Sequence, residues 1–228
     1  MGTPARAAGS TSRTNIAVAI ALLVGLGALA TRVPLAYWPH ILQYTVALCF
    51  LGLVIWLPGF VIERATLRNS DLGGLRTLAR WCLGLGFWIA VLFLLCALRQ
   101  LTSTHLWTVI ALVAISTCAT RFRTAVRLTS RGTWPVLQFT QLLPILLLGL
   151  LLAPSFVLAL GPHLIWDDDV YHLTLPKLFL EHGGFRPVPL SVYSNWPLNV
   201  ELLFGLAMLV KDYILAKLLH FGFGLLTL

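Results

Sequence analysis

The run HILQYTVALCFLGLVIWLPGFVI, residues 40–62, decides the fold class, because it holds no Asp, Glu, Lys or Arg. An α-helix rises 1.5 Å per residue, so about 20 apolar residues cross the roughly 30 Å hydrocarbon core of a bilayer. Comparable runs lie on both sides of it, and they predict helices at about 15–31, 81–99, 101–119 and 136–160, with a last apolar segment from about 213 to the end. Inside lipid only helices or closed barrels satisfy the backbone, and these runs are too long and unbroken for barrel strands. The expected fold is all-α: a polytopic helical membrane protein of about six spans, with an outward loop that contains juxtamembrane amphipathic helices.

Composition agrees with the run. The 228 residues are 58% hydrophobic and 11% charged, and the mean hydropathy is +0.88. Soluble domains carry roughly 25% charged residues, and a water-soluble core could not hide this much apolar surface. The net charge of +8 comes from short basic clusters between apolar runs, not from one basic face, which argues for membrane topology and against nucleic acid as a partner. The four cysteines, Cys49, Cys82, Cys96 and Cys118, fall inside apolar runs with neither a CxxC pair nor a framework spacing, and read as small hydrophobes. Residues 1–14 form a polar tail with Arg6 and Arg13. The apolar run after it is longer than the core of a usual signal peptide and is followed by further spans, so it reads as a retained first helix.

The arginines set the expected orientation, since positively charged loops stay on the cytoplasmic side. Arg6 and Arg13 precede the first helix; Arg64, Arg68, Arg76 and Arg80 separate the second from the third; Arg121, Arg123, Arg127 and Arg131 separate the fourth from the fifth. All ten fall on one side if the five helices span. Only Arg32 and Arg99 edge the other. The N-terminus is then cytoplasmic, and residues 161–212 open on the outer face of a bacterial inner or plasma membrane, in the periplasm or its equivalent. Polar chemistry is concentrated there: six of the eight acids and all three lysines follow residue 160. The chain thus divides into a tail (1–14), a helical scaffold of about four spans (15–135), and a last part (136–228) comprising a span with Pro144 and Pro154, the loop and the start of a further span.

The loop opens with Trp166, Asp167, Asp168 and Asp169. Adjacent carboxylates repel one another, and one so perturbed can serve as a general base; Asp is equally favoured at a helix start. Residues 169–182 have the pattern of an amphipathic helix ending at Gly183-Gly184, as one piece or as two divided by Pro176. Tyr171 and His172 lie one helical turn beyond the acids. Residues 197–210 carry Glu201 and are short for a span, so they read as a helix lying in the interface plane. No metal-ligand spacing such as HExxH involves His163, His172 or His182. Trp166, Tyr171, Tyr193 and Trp196 suit either stacking on sugar faces or an interfacial aromatic belt. His220 reads as a packed histidine, and Lys177 and Lys217 suit lipid headgroups as well as a ligand.

The order of these pieces resembles a family. Trp166-Asp167 with Tyr171-His172-Leu173, then Leu175-Pro176-Lys177, then Tyr193-Ser194-Asn195-Trp196-Pro197, then Ala216-Lys217-Leu218 with His220, is similar to the first external loop of GT-C glycosyltransferases. The likeness is to the bacterial lipid-carrier-dependent and protein mannosyltransferase-like branch, and it covers about residues 141–228. It implies a transferase that takes a sugar from a polyprenyl-phosphate donor and delivers it to a lipid, glycan or protein acceptor hydroxyl, with inversion at the anomeric carbon. By the same resemblance Asp167 is the base, and Asp168 orients the acceptor or helps hold a divalent cation, magnesium or manganese; no cofactor is fixed. Tyr171, His172, Lys177, Arg186, Trp196 and Lys217 are the expected substrate-binding residues, with Lys177, Arg186 and Lys217 the cations facing the departing phosphate. The family's enzymes have more helices than this chain, so it reads as the N-terminal part of one. The rival reading is a transporter subunit or a non-catalytic membrane protein; a transporter would place acids within its spans, near the midplane.

Overall fold

The computed structural model describes residues 35–67, 70, 72–125, 139–162, 168–189, 191–195 and 198–227. The helix expected at 15–31 lies outside these residues, as do Asp167 and Trp196. The described chain is helical, with no strand: α1 (Trp38–Thr66), α2 (Arg76–Ala97), α3 (Ser103–Ala125), α4 (Phe139–Leu160), a π-helical turn (Asp168–His172), α5 (Thr174–His182), α6 (Asn199–Val210) and α7 (Tyr213–Leu226). Each predicted helix among these residues is present, with shifted ends.

Among the described residues three helical stretches are long and apolar enough to cross a membrane: Trp38–Thr66, Gly73–Ala97 and Ser103–Thr120. No more than 33% of their apolar windows is buried within the chain. Leu53, Phe93, Leu94, Leu112 and Ile115 therefore point outward. In water such surface would far exceed what a soluble monomer tolerates, whereas in a bilayer it is the face that meets lipid. These helices mark an integral membrane protein.

The chain divides into two compact units, Met1–Gln43 with Thr133–Ala153, and Tyr44–Gly132 with Pro154–Leu228. The described part of the first consists of the start of α1, with the short turn before it, and most of α4. The second holds everything that bears on the site.

Within the second unit α1 and α2 run antiparallel in backbone contact. A Cβ on Gly59 would stand 1.8 Å from the Arg80 carbonyl oxygen, and one on Gly84 would stand 2.0 Å from that of Ile55. Only glycine at both positions permits this crossing. Pro58, inside α1, has no N–H to give the carbonyl of Val54, the acceptor one turn back. The buried Trp88 of α2 supplies the missing donor, its Nε1–H meeting the Val54 oxygen at 2.9 Å. At the end of α1 the fully buried Glu63 is held by Arg76 at 2.5 Å and Arg80 at 3.2 Å, and the Arg80 guanidinium lies over the rings of Trp56 and Phe60.

The other end of α2 turns tightly into α3, in keeping with the adjoining bounds expected for the two helices, through Leu98–Thr102, where Arg99 adopts φ 56°. Thr102 caps α3 by accepting from the His105 N–H at 3.3 Å. Onto this hairpin docks the segment after α5. Gly183 closes α5 in the left-handed conformation (φ 72°), its carbonyl accepts from Leu101 N at 2.8 Å, and Phe185 N donates to the Cys96 carbonyl at 3.2 Å. The Glu63–arginine cluster and this docking site are thus at opposite ends of α2, whose 22 residues span about 33 Å.

Of the two readings open for residues 169–182, two pieces form, the π-helical turn and α5; they divide at Leu173, with Pro176 in the first turn of α5 where a missing N–H is tolerated. One element reading is corrected. Residues 199–210 do form a helix, but every residue from Glu201 to Ala207 is buried, against α2, α5 and α7. A helix lying among headgroups keeps a polar face in water; α6 has no such face and is a core helix.

Candidate functional site

α7 starts at a corner fixed by Asp212, whose Oδ1 accepts from the backbone N–H groups of Ile214 and Leu215 at 3.0 and 3.2 Å and whose Oδ2 accepts from the Tyr44 hydroxyl. Lys211, on the same corner, places its ammonium 4.5 Å from the centre of the Tyr44 ring. This corner sets α7 beside the C-terminal end of α4, and between them lies a cavity of about 460 Å³. Its walls are Leu158, Ala159 and Pro162 at the end of α4, His172 and Leu173 after the acidic residues, Phe204 of α6, and Ala216, Lys217, His220 and Phe221 of α7. The described lining is mostly apolar, with two imidazoles, one ammonium and the hydroxyl of Ser155 among it.

Lys217 has a defined task. Its Nζ donates to the carbonyls of Gly161 at 2.9 Å, Pro162 at 3.2 Å and Leu158 at 3.4 Å. An ammonium has three N–H donors, and a helix C-terminus leaves carbonyls unsatisfied at the negative end of its dipole. Lys217 caps α4 and joins α7 to it, lending the cavity its charge while its protons meet carbonyls.

His172 is built differently. Its Nδ1 lies 2.9 Å from Oε1 of Glu201, which is only 7% exposed on α6. An ionised carboxylate only accepts, so the proton between them sits on Nδ1. Among the described residues His172 has no other hydrogen bond, which leaves Nε2 as its second hydrogen-bonding atom. The ring is held between Tyr171, at 3.9 Å between centroids, and the edge-on ring of Phe204 at 6.3 Å. Tyr171 itself stacks on Tyr193 at 4.4 Å and 11°. His220 lines the cavity with its ring 5.9 Å from that of Phe204.

Of the residues expected from sequence, the structure brings His172 and Lys217 to one cavity with Tyr171 beside them. Lys177 and Arg186 do not line it: both are exposed, and Lys177 lies 3.9 Å from Glu181, a surface pair one turn away. Asp168 begins the π-helical turn that carries His172, while its side chain lies outside the described part, as do Asp167 and Trp196 entirely. Among the described residues no three of His, Cys, Asp and Glu come together as ligands for a cation, so the cation beside Asp168 rests on the resemblance alone. Sequence reasoning missed Glu201 as a site residue. The signal was there: a single carboxylate in an otherwise apolar helix needs a buried partner.

No family model, no curated protein and no solved structure matches the chain.

Proposed function

We propose that this chain is part of a membrane glycosyltransferase of the GT-C type, which moves a sugar from a polyprenyl-phosphate donor to an acceptor hydroxyl on the outer face of a bacterial plasma membrane. The observation that carries this reading is the cavity itself. It combines apolar walls with imidazoles, and it lies at the C-terminal end of the apolar helix α4, beside the stretch that carries the acidic residues, a setting that suits a donor with a lipid tail and a polar head.

In this reading Asp167 is the base and Asp168 its partner. A sugar hydroxyl is a poor nucleophile near neutral pH, so its proton passes to Asp167 as the oxygen attacks the anomeric carbon. The new C–O bond forms on one face while the bond to the phosphate oxygen breaks on the other, and its electron pair leaves with the phosphate. A positive or hydrogen-bonding group on the phosphate side lowers the barrier. Tyr171 and Tyr193, stacked beside His172, offer a ring face for a sugar.

The test is sugar transfer from a polyprenyl-phosphate-linked donor, measured in membranes carrying the full-length protein. Asp167→Asn is expected to lower transfer by about 10²–10⁴-fold, the usual contribution of a general base, and Asp168→Asn by less. Wild-type transfer by the Asp167 variant would remove the assignment. A transporter would instead move substrate across the membrane without forming a new glycosidic bond.

A further inference from the structure

We infer that Glu201 is a positioning residue and that the His172 it holds is the group that meets the phosphate of a lipid-borne phosphate ester in the cavity. The inference rests on the transferase reading and deepens it. The departing phosphate needs a partner, and the cations available by sequence are otherwise placed. Lys177 and Arg186 are exposed and off the cavity, and the Lys217 donors meet the carbonyls at the end of α4. His172 lines the cavity with Nδ1 committed to Glu201 and Nε2 uncommitted among the described residues.

Burying a carboxylate in α6 among Leu202, Leu203 and Phe204 costs free energy unless a partner offsets it. The partner here is a ring nitrogen, and the carboxylate fixes the plane of that ring and balances the second proton the ring carries when its Nε2–H donates to a phosphate oxygen. A histidine so held presents Nε2 with little rotational freedom left to lose on binding. The Tyr171 ring limits the ring's movement further. Apart from Ser155 and Lys217 the rest of the described lining is apolar, with Leu158, Ala159, Leu173 and Phe221 among it, so a phosphate on a hydrocarbon chain fits it better than a free phosphate. Among the described residues His220 is the one other imidazole on the lining, on the α7 side.

The experiment measures binding of farnesyl phosphate, farnesol and inorganic phosphate to the full chain in lipid nanodiscs by calorimetry. One hydrogen bond to a charged group corresponds to about a tenfold change in affinity, so the wild type is expected to prefer farnesyl phosphate to farnesol by about tenfold or more. His172→Gln should bring that ratio to about one without changing farnesol affinity. Glu201→Gln keeps the shape of the carboxylate and should lower the ratio in part, and the double variant should lose no more than His172→Gln alone. A purely structural pair would weaken farnesol and farnesyl phosphate alike, which would overturn the inference. So would a wild-type ratio of one, or displacement of farnesyl phosphate by equimolar inorganic phosphate. Asp167→Asn separates the two readings: retained transfer by that variant removes the base assignment but leaves the binding ratio intact, whereas lost transfer with a wild-type ratio of one removes the phosphate site alone.

Discussion

At the scale of single residues, the most informative groups are those whose partners lie far along the chain. Pro58 leaves the Val54 carbonyl without its helical donor, and Trp88 restores one. Trp88→Phe keeps most of the volume but removes the donor, and is expected to cost about 1–2 kcal/mol, the range for an interhelical hydrogen bond lost inside a membrane protein. Denaturation in mixed micelles measures it, and an unchanged midpoint would show that the carbonyl finds another donor. Glu63 is fully buried between two arginines that reach the surface, so Glu63→Ala should destabilise more than Arg76→Ala. The first leaves two cations without their counter-charge, the second leaves Arg80 still paired. The same measurement ranks them. Neither Glu63 nor Glu201 was legible as a partner, because a lone acid in an apolar run announces that a partner exists without saying which residue it is. His172 was legible through its place after the acids. The capping role of Lys217 was not, since it depends on where the end of α4 falls in space.

At the scale of elements, the apolar runs gave the helices and the glycines gave one crossing. Gly84 and Gly86 sit two residues apart on α2 and face different surroundings. A Cβ at Gly84 meets the Ile55 carbonyl at 2.0 Å, while one at Gly86 meets nothing within 4 Å. Gly84→Ala must therefore push α1 from α2 and is expected to cost about 2–3 kcal/mol, the scale of overpacking. Gly86→Ala should be neutral or stabilising by up to about 1 kcal/mol, because alanine is the better helix former. Equal effects in the micelle titration would contradict the crossing. The tight α2–α3 connection was legible from how closely the two apolar runs follow one another, and the stop at Gly183 from local turn chemistry. The surroundings of α6 were not: a run of 12 mostly apolar residues is too short to span, and length alone does not separate an interfacial helix from a buried one.

At the scale of the whole molecule, membrane residence is written in composition, while the architecture of the second unit depends on which end of each helix meets which segment. The arginine-held Glu63 and the docked residues 183–185 occupy opposite ends of α2. Everything proposed for Asp167, His172 and Glu201 requires the segment from 161 to 212 to open on the face away from those arginines. The most direct measurement is labelling of a single introduced cysteine by a membrane-impermeant maleimide, after the exposed Cys49, Cys82 and Cys118 have been replaced by alanine and the buried Cys96 retained. Pro189→Cys, on the exposed turn beyond Arg186, should react in intact cells, and Thr77→Cys, at the arginine end of α2, only after the cells are opened. Labelling of residue 189 from the cytoplasmic side alone would contradict the account.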